Sequence, residues 1–276
     1  MMKQRNVIIT GCSSGIGRCV AEGLKERGYR VFATARKKCD VDILIKSGFE
    51  SVQLDLANSA SLHSAFETIF QKTGGEIYAL FNNGAYGQPG AVEDLSRDVL
   101  RQQFEVNLFG THELTNLVLP VMRKQGYGRI IHNSSLLGFV ALKYRGAYNA
   151  TKYALEGLTD TLRLELMGSD IHISLIEPGP IESRFRKNAL AAFEENISIE
   201  NSPFKMAYKK LEERLKAEGP VVPFTLGPEA VLDKVLHALE SKKPRPRYYV
   251  TFPSYLFAYL KRVLSARMMD KVLNRI

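Results

Sequence analysis

The sequence predicts a doubly wound α/β fold, in which helices cover both faces of a parallel β-sheet. Short apolar runs alternate along the chain with stretches in which apolar residues recur every three or four positions. The apolar runs are continuous rather than alternately polar, which is typical of strands buried on both faces of a parallel sheet. The length of 276 residues, with 45% hydrophobic and 24% charged residues, fits a single domain of this class.

Seven segments have the length and the Val, Ile, Leu or Phe content of β-strands. They are residues 6–10, 30–35, 51–56, 78–82, 128–134, 172–177 and 247–252. The helical spacing between them is clearest where leucines recur at positions 155, 158, 162 and 166. Near the end of the chain, two apolar stripes of helical spacing are out of phase, which predicts a bend near residues 265–267.

Composition and charge exclude several classes of protein. Three cysteines, Cys12, Cys19 and Cys39, have neither the even number nor the spacing of a disulfide framework or a zinc site, which fits a reducing compartment. The first residues lack the apolar stretch of a signal peptide, and no apolar run reaches the length of about 20 residues that a membrane-spanning helix needs. We therefore expect a cytoplasmic protein that is at most attached to a membrane surface.

The net charge of +9 is concentrated at the end of the chain. Residues 241–276 contain nine Lys and Arg but only Asp270 as an acid, a balance of 9 − 1 = +8. Such asymmetry suggests contact with something anionic, and a peripheral membrane contact through this basic segment is one expectation. The alternative expectation is a basic surface that contacts only solvent. No nucleic-acid recognition motif accompanies the cluster, so nucleic-acid binding is not expected.

A glycine-rich loop directly follows the first predicted strand. Its sequence, Thr-Gly-Cys-Ser-Ser-Gly-Ile-Gly at positions 10–17, runs straight into a helical pattern. Glycines let a backbone turn sharply and approach a ligand, and the free amides of a helix N-terminus suit a pyrophosphate. A tight packing corner is the alternative, but at the first strand of an α/β chain the loop indicates a nucleotide site.

The end of the second predicted strand indicates which nucleotide binds. A carboxylate that would bind a ribose hydroxyl is missing there, and Arg36 follows the strand instead. A guanidinium can pair with a ribose 2′-phosphate, so the sequence favours NADP over NAD, although the loop could simply be basic. Asp55, at the end of the third strand, is an acceptor suited to an adenine amino group or, equally, a capping residue.

Tyr148 and Lys152 form the candidate catalytic pair. Their spacing of four within a helical pattern places both side chains on one helix face, and a nearby ammonium lowers the pKa of a phenol. Such a pair can move the proton of an alcohol–carbonyl couple while a nicotinamide moves the hydride. A surface pair is the ordinary explanation of this spacing. Ser135, at the end of the fifth strand, could hold the substrate oxygen, and Asn107 could be catalytic or a buried structural amide.

Together, in order and spacing, these motifs resemble the short-chain dehydrogenase/reductase family over nearly the whole chain, which implies a Rossmann-type fold. The resemblance implies that Tyr148 is the general acid/base, that Lys152 tunes its pKa and binds the nicotinamide ribose, and that Ser135 orients the carbonyl. It implies that Asn107 supports a water and proton relay to Lys152. The implied cofactor-binding set is Gly11, Ser13, Ser14, Gly15, Ile16, Gly17, Arg36, Asp55, Leu56, Asn83, Gly84, Tyr148, Lys152, Pro178, Gly179, Ile181 and Ser183.

Two departures from the family pattern lie near this set. Positions 82–85 read Asn-Asn-Gly-Ala where the family usually has Asn-Asn-Ala-Gly, which puts a backbone contact to the adenosine half in doubt. Ser183 replaces the more usual threonine and keeps the hydroxyl. Neither departure touches the catalytic residues.

The resemblance is greatest to the 17-beta-hydroxysteroid and retinol dehydrogenase branch and to related bacterial aldehyde reductases. It implies an enzyme that reduces a lipophilic aldehyde or ketone, or runs the reverse, and that assembles as a homodimer or homotetramer. A redox sensor that binds NADP without turnover is the alternative. The apolar candidates for the substrate pocket, which could equally be core residues, are Leu136, Phe139, Leu142, Phe185 and Phe204.

The expected organisation is one domain in three parts. Residues 1–183 form the dinucleotide-binding and catalytic core. Residues 184–227, a charged helical insertion, are expected to be a substrate lid. Residues 228–276 complete the core and add the basic C-terminal extension.

Overall fold

The computed structural model describes residues 5–276 and contains one seven-stranded parallel sheet with the strand order β3-β2-β1-β4-β5-β6-β7. Its strands are β1 (Asn6–Ile9), β2 (Arg30–Ala35), β3 (Glu50–Gln53), β4 (Ala79–Asn82), β5 (Tyr127–Asn133), β6 (Asp170–Glu177) and β7 (Arg247–Tyr249). The order reverses between β1 and β4, which creates a crevice at the carboxyl ends of these two strands. The predicted doubly wound fold is confirmed.

Helices lie on both faces of the sheet and extend beyond it. They are α1 (Gly15–Glu26), α2 (Lys38–Lys46), α3 (Ser59–Thr73), α4 (Arg97–Phe104), α5 (Gly110–Gln125), α6 (Gly146–Glu165), α7 (Phe185–Asn196), α8 (Lys205–Lys216), α9 (Glu229–Glu240), α10 (Phe252–Val263) and α11 (Ala266–Leu273). A π-helical turn, Glu105–Phe109, joins α4 to α5. In the described part of the chain, no helix is long and apolar enough to cross a membrane.

Two apolar cores enclose the sheet, one on each face. In β1, Val7 and Ile9 join a core with residues of α1, α2 and α9, whereas Ile8 joins a second core with residues of α3 and α5. All three side chains are fully buried. This burial on alternate faces explains why the strand has no polar positions.

Two predicted strands end three residues earlier than the sequence indicated. The third ends at Gln53 instead of continuing to residue 56, because the Asp55 carboxylate accepts a hydrogen bond from the Ala57 amide (3.0 Å) and turns the chain. The last ends at Tyr249 instead of residue 252, because α10 begins at Phe252 with Pro253 in its first turn, where proline favours a helix.

The insertion and the C-terminal extension each have a small apolar core of their own. Helices α7 and α8 pack together around Phe193, Tyr208 and Leu211. Helices α10 and α11 pack Phe257 and Met269 against the segment that follows β5. The predicted bend is confirmed: α10 ends before Ser265, whose hydroxyl accepts a hydrogen bond from the Met268 amide (3.4 Å) and caps α11.

Candidate active site

A cleft of about 940 Å³ opens at the carboxyl ends of the central strands. Its walls come from the glycine-rich loop, from the ends of β4, β5 and β6, from the start of α6, and from the insertion and the C-terminal extension. The cleft therefore lies where an open α/β sheet binds its ligands.

The backbone of the glycine-rich loop leaves no room for a side chain at Gly11 or Gly15. Gly11 and Gly15 have positive φ angles of 71° and 56°, which favour glycine. A Cβ atom on Gly11 would lie 2.7 Å from the Cα of Gly84, and a Cβ atom on Gly15 would lie 2.9 Å from the Cβ of Ser183. The backbone of Gly84, the glycine of the transposed Gly-Ala pair, is therefore in close contact with the backbone of the loop.

The polar groups around the loop suit a nucleotide. No side chain caps α1 at Ser14, so the first amides of this helix stay available to an anion at the wall of the cleft. The carbonyl oxygen of the Asn133 side chain is buried at the wall and has no hydrogen-bond partner among the described residues. A bound dinucleotide would satisfy these groups, so the residues present fit such a cofactor.

Most of the expected cofactor-binding residues come together at the cleft wall. Those that do are Gly11, Ser13, Ser14, Gly15, Ile16, Asn83, Gly84, Tyr148, Lys152, Pro178, Gly179, Ile181 and Ser183. Gly17 lies behind the wall, where the Gly11 carbonyl and the Asn83 amide leave no room for a side chain.

Arg36, Asp55 and Leu56 lie beyond the cleft wall. Arg36 is exposed directly after β2, and Leu56 packs beneath Gly84. The Asp55 carboxylate is engaged in the turn after β3. Their contacts with a cofactor remain predictions.

Tyr148 and Ser135 meet at the floor of the cleft. Tyr148 is only 8% exposed, and the Ser135 side chain lies near its hydroxyl. Burial raises the pKa of Tyr148 to about 12, although the neighbouring Ser135 acts in the opposite direction. The expected net lowering of this pKa is wrong, because the loss of water around the phenol outweighs the groups that favour the phenolate.

Lys152 lies one helical turn beyond Tyr148 and is 3% exposed. Its ammonium donates a hydrogen bond to the Asn133 carbonyl (2.6 Å) and lies 5.6 Å from the centre of the Tyr148 ring. Burial lowers the pKa of Lys152 to about 8, and the negative charge of Glu156 acts to raise it. Lys152 therefore loses its charge close to physiological pH.

Asn107 lies behind the catalytic residues rather than at the cleft wall. It is in the π-helical turn, 1% exposed, and its side chain binds both backbone groups of Tyr86 (3.1 and 2.9 Å). Its amide also donates to the hydroxyl of Thr151, the neighbour of Lys152 (3.2 Å). Such turns are frequent at functional sites, and this one braces the helix that carries the lysine.

A buried charged cluster that the sequence did not predict extends from Lys152 to the end of the sheet. The Glu156 carboxylate accepts a hydrogen bond from the Ser134 hydroxyl (2.7 Å) and pairs with Arg247 on β7. Arg247 also pairs with Glu177, which is fully buried at the end of β6, and with Asp160 (2.7 Å). Burial and the charge of Glu156 raise the pKa of Glu177. The spacing of four between Lys152 and Glu156 was the only sequence signal.

Three of the five apolar candidates line the cleft, namely Leu136, Leu142 and Phe185. The ring of Phe185 packs edge-on against that of Tyr148, with 5.3 Å between centroids. Phe139 and Phe204 do not line it. Phe139 packs against Tyr249 under α10, and Phe204 packs into the core of the insertion.

Comparison with known proteins agrees with this geometry. The family model described as short chain dehydrogenase matches residues 5–193. The uncharacterized oxidoreductase YbbO of Escherichia coli is 43% identical over 271 residues, which cover 98% of this chain and 94% of that protein. The chain therefore belongs to the short-chain dehydrogenase family, and it is an oxidoreductase with the Rossmann-like fold of that family.

Three further proteins are similar to this chain over most of its length. The NADPH-dependent 3-dehydrocapnine reductase of Ornithobacterium rhinotracheale is 30% identical and covers 97% of this chain and 95% of its own. Human 17-beta-hydroxysteroid dehydrogenase type 1 is 32% identical, over 91% of this chain and 78% of its own. The crystal structure of a short-chain dehydrogenase from Streptomyces avermitilis has a TM-score of 0.78 at 25% identity and covers 100% of this chain and 98% of its own.

Proposed function

We propose that this enzyme uses NADPH to reduce a lipophilic aldehyde or ketone to the alcohol. The observation that carries the proposal is the buried Tyr148–Ser135 pair, which faces a cleft with mainly apolar walls. NADPH, when bound, supplies the hydride. The protein supplies the proton and the site that orients the carbonyl.

Tyr148 is suited to give a proton rather than to take one. With a pKa of about 12, its phenol is protonated at neutral pH and can donate to a carbonyl oxygen that gains negative charge. The Ser135 hydroxyl lies beside it and can hold the same oxygen. The ammonium of Lys152 then stabilises the phenolate that is left.

The charge at the end of β2 supports NADP over NAD. Arg36 has no ion-pair partner among residues 5–276, and the strand end carries no carboxylate that would repel a 2′-phosphate. Ser13 lies at the cleft wall. A relative named as NADPH-dependent supports the same choice.

The apolar wall of the cleft supports a lipophilic substrate. It is formed by Leu136, Leu142, Phe185, Leu256 and Phe257. Two of these come from α10 and one from α7, so we propose the insertion 184–227 and the C-terminal helices as the lid of the substrate site. Relatives whose names include a hydroxysteroid and a dehydrocapnine fit a steroid-, retinoid- or fatty-aldehyde-like substrate.

The alternative of a non-catalytic redox sensor is not favoured. Such a sensor needs the nucleotide site only, whereas this chain keeps Asn107, Ser135, Tyr148 and Lys152 in one connected arrangement. Nothing in nucleotide binding alone requires the buried phenol or its serine partner.

A peripheral membrane contact is proposed for α10. Phe252, Tyr255, Tyr259 and Val263 form one exposed stripe on this helix, each about half exposed, and the helix ends in Lys261 and Arg262. Aromatic side chains beside basic ones suit the surface of an anionic membrane. Co-sedimentation with anionic vesicles should be strong at low salt and should weaken as salt rises. Equal binding to neutral vesicles would contradict the electrostatic part.

Homo-oligomerisation is proposed on different evidence, namely exposed apolar side chains on and just after α6. Leu158, Leu164 and Met167 are exposed on and just after α6, by 44%, 62% and 75%. A second copy would cover them. Light scattering after gel filtration should give a dimer or tetramer, and a monomer would refute the proposal.

The decisive experiment measures NADPH and NADH oxidation with nonanal, retinal and a keto-steroid. The wild-type enzyme should reduce at least one of them with NADPH preferred, and Tyr148→Phe should not. NADPH binding without turnover of any compound would favour the sensor instead.

A further inference from the structure

Two arginine side chains line the cleft without an ion-pair partner. Arg145 directly precedes α6 and Arg214 lies in the last turn of α8. We propose that the substrate carries an anionic group, such as a carboxylate, sulfonate or phosphate, that Arg145 and Arg214 bind at the lid side of the cleft. This inference rests on the proposed reductase function and narrows its substrate class to amphiphilic carbonyl compounds.

The guanidinium of Arg145 has almost no partner of its own. Its single hydrogen bond goes to the neighbouring Tyr144 carbonyl at 3.4 Å, which is long for such a bond. Among residues 5–276, no carboxylate lies within ion-pairing distance of Arg145 or Arg214. By contrast, the buried cluster gives Arg247 three carboxylates. A half-buried cation without a counter-charge is costly, and a ligand anion would remove that cost.

The two arginines also repel each other. Burial, and then the charge of Arg214, lower the pKa of Arg145 to about 10. Arg145 is half-buried and Arg214 is exposed, so without a ligand the cleft holds two positive charges that no carboxylate neutralises. An anion between them would gain from both, and the planar fork of arginine matches carboxylate, sulfonate and phosphate oxygens.

The backbone holds Arg145 in place through an unusual conformation. Tyr144 has a φ of 59°, which is uncommon for a residue other than glycine. Its carbonyl accepts a hydrogen bond from the Gly90 amide (3.1 Å), and its ring packs edge-on against Phe204 and Tyr208 of the insertion. Strain of this kind persists where the surroundings fix it, and here it directs the chain into α6, which begins two residues before Tyr148.

The other charges of the cleft favour an anion as well. Among its described lining residues, Glu182 is the one acidic side chain, and the basic ones are Arg145, Lys152, Arg184, Arg186 and Arg214. Arg186 already donates to the Gly219 carbonyl (2.7 Å). Arg214 lies in the insertion, and Arg145 follows Tyr144, whose ring packs against the insertion, so both arginines are on the lid side of the cleft rather than in the nucleotide loop. The ligand we infer therefore has an apolar body along the cleft wall and an anionic end under the lid.

A pair of aldehydes that differ only at the far end tests this inference. Nonanal and its ω-carboxylate, 9-oxononanoate, have the same reacting group and the same chain. With NADPH, wild-type kcat/KM should be about tenfold or more higher for 9-oxononanoate. Arg145→Gln should lower kcat/KM for the oxo acid by about 10- to 100-fold and change that for nonanal by less than about threefold. Arg214→Gln should act in the same direction.

The control is Arg97→Gln, because Arg97 is exposed on α4 and does not line the cleft; this substitution should change kcat/KM for neither substrate. Equal kcat/KM for the two aldehydes, or equal losses in Arg145→Gln, would overturn the inference. If neither aldehyde is reduced, the proposed reduction of aldehydes is contradicted. A binding experiment then tests the inferred anion site independently of turnover. Nonanoate should then raise the Tm of the wild-type protein but not that of Arg145→Gln. Nonanol, which has no charge, should change the Tm of both proteins equally. If nonanoate raises the Tm of both proteins equally, or of neither, the inference is overturned as well.

Discussion

The rate of carbonyl reduction should depend on pH through Lys152. Its ammonium stabilises the phenolate that forms when Tyr148 donates its proton, so the charged form is the active one. Because burial sets the pKa of Lys152 at about 8, kcat/KM should be constant below about pH 7 and fall above about pH 8. At pH 9 about one molecule in 11 keeps the charge, so the loss should be about tenfold, equivalent to about 1.4 kcal/mol.

The assay is the initial rate of NADPH oxidation with one aldehyde from about pH 6 to about pH 10 at constant ionic strength. Glu156→Gln identifies the group, because the carboxylate of Glu156 acts to raise the pKa of Lys152. Without this charge, the pKa of Lys152 should decrease, so the falling limb of the pH profile of kcat/KM should move to lower pH. Glutamine can still accept the hydrogen bond from Ser134. Glu165→Gln, at the exposed end of the same helix, should leave the limb in place. A rate that stays constant to about pH 10, or a limb that Glu156→Gln does not move, would refute the reasoning.

Three further substitutions test other parts of the site. Tyr148→Phe removes the transferable proton and should lower kcat by about a thousandfold or more. The Kd for NADPH, measured by fluorescence, should change by less than about threefold. Substantial residual turnover would exclude Tyr148 as the general acid. Arg36→Asp should raise the KM for NADPH much more than that for NADH, and an unchanged ratio would exclude Arg36 as the group that recognises the 2′-phosphate. Arg247→Met leaves Glu156 and Glu177 buried without their counter-charge and should lower the free energy of unfolding in urea by about 3 kcal/mol, whereas the exposed control Arg123→Met should change it little.

The fold was predictable because its signals are local. Continuous apolar runs such as Val7–Ile9 identify strands buried on both faces, and their alternation with helical patterns predicts a parallel sheet. The strand ends were less predictable. Apolar residues continue past Gln53 and Tyr249, and only the turn at Asp55 and the proline in α10 end these strands.

Spacing was enough to predict that the candidate catalytic pair shares one helix face, but it did not predict the electrostatics of the pair. The sequence places Lys152 one turn from Tyr148, and this led to the expectation of a lowered phenol pKa. The degree of burial decides the sign, and burial depends on helices that are distant in the sequence. The same holds for the pairing of Glu156 with Arg247, because 91 residues separate the two and nothing in the spacing of either indicates the other.

Burial acts in opposite directions on the two candidate catalytic groups, and this supports reduction, the direction that we propose. It disfavours every charged form, so it raises the pKa of Tyr148 to about 12 and lowers that of Lys152 to about 8. At pH 7 the phenol is therefore protonated in all but about one molecule in 10⁵, and it is ready to donate. Oxidation of an alcohol needs the phenolate instead, and the raised pKa of Tyr148 disfavours that form at pH 7. Of the two directions, reduction is the one for which both side chains of this chain already have the required protonation state.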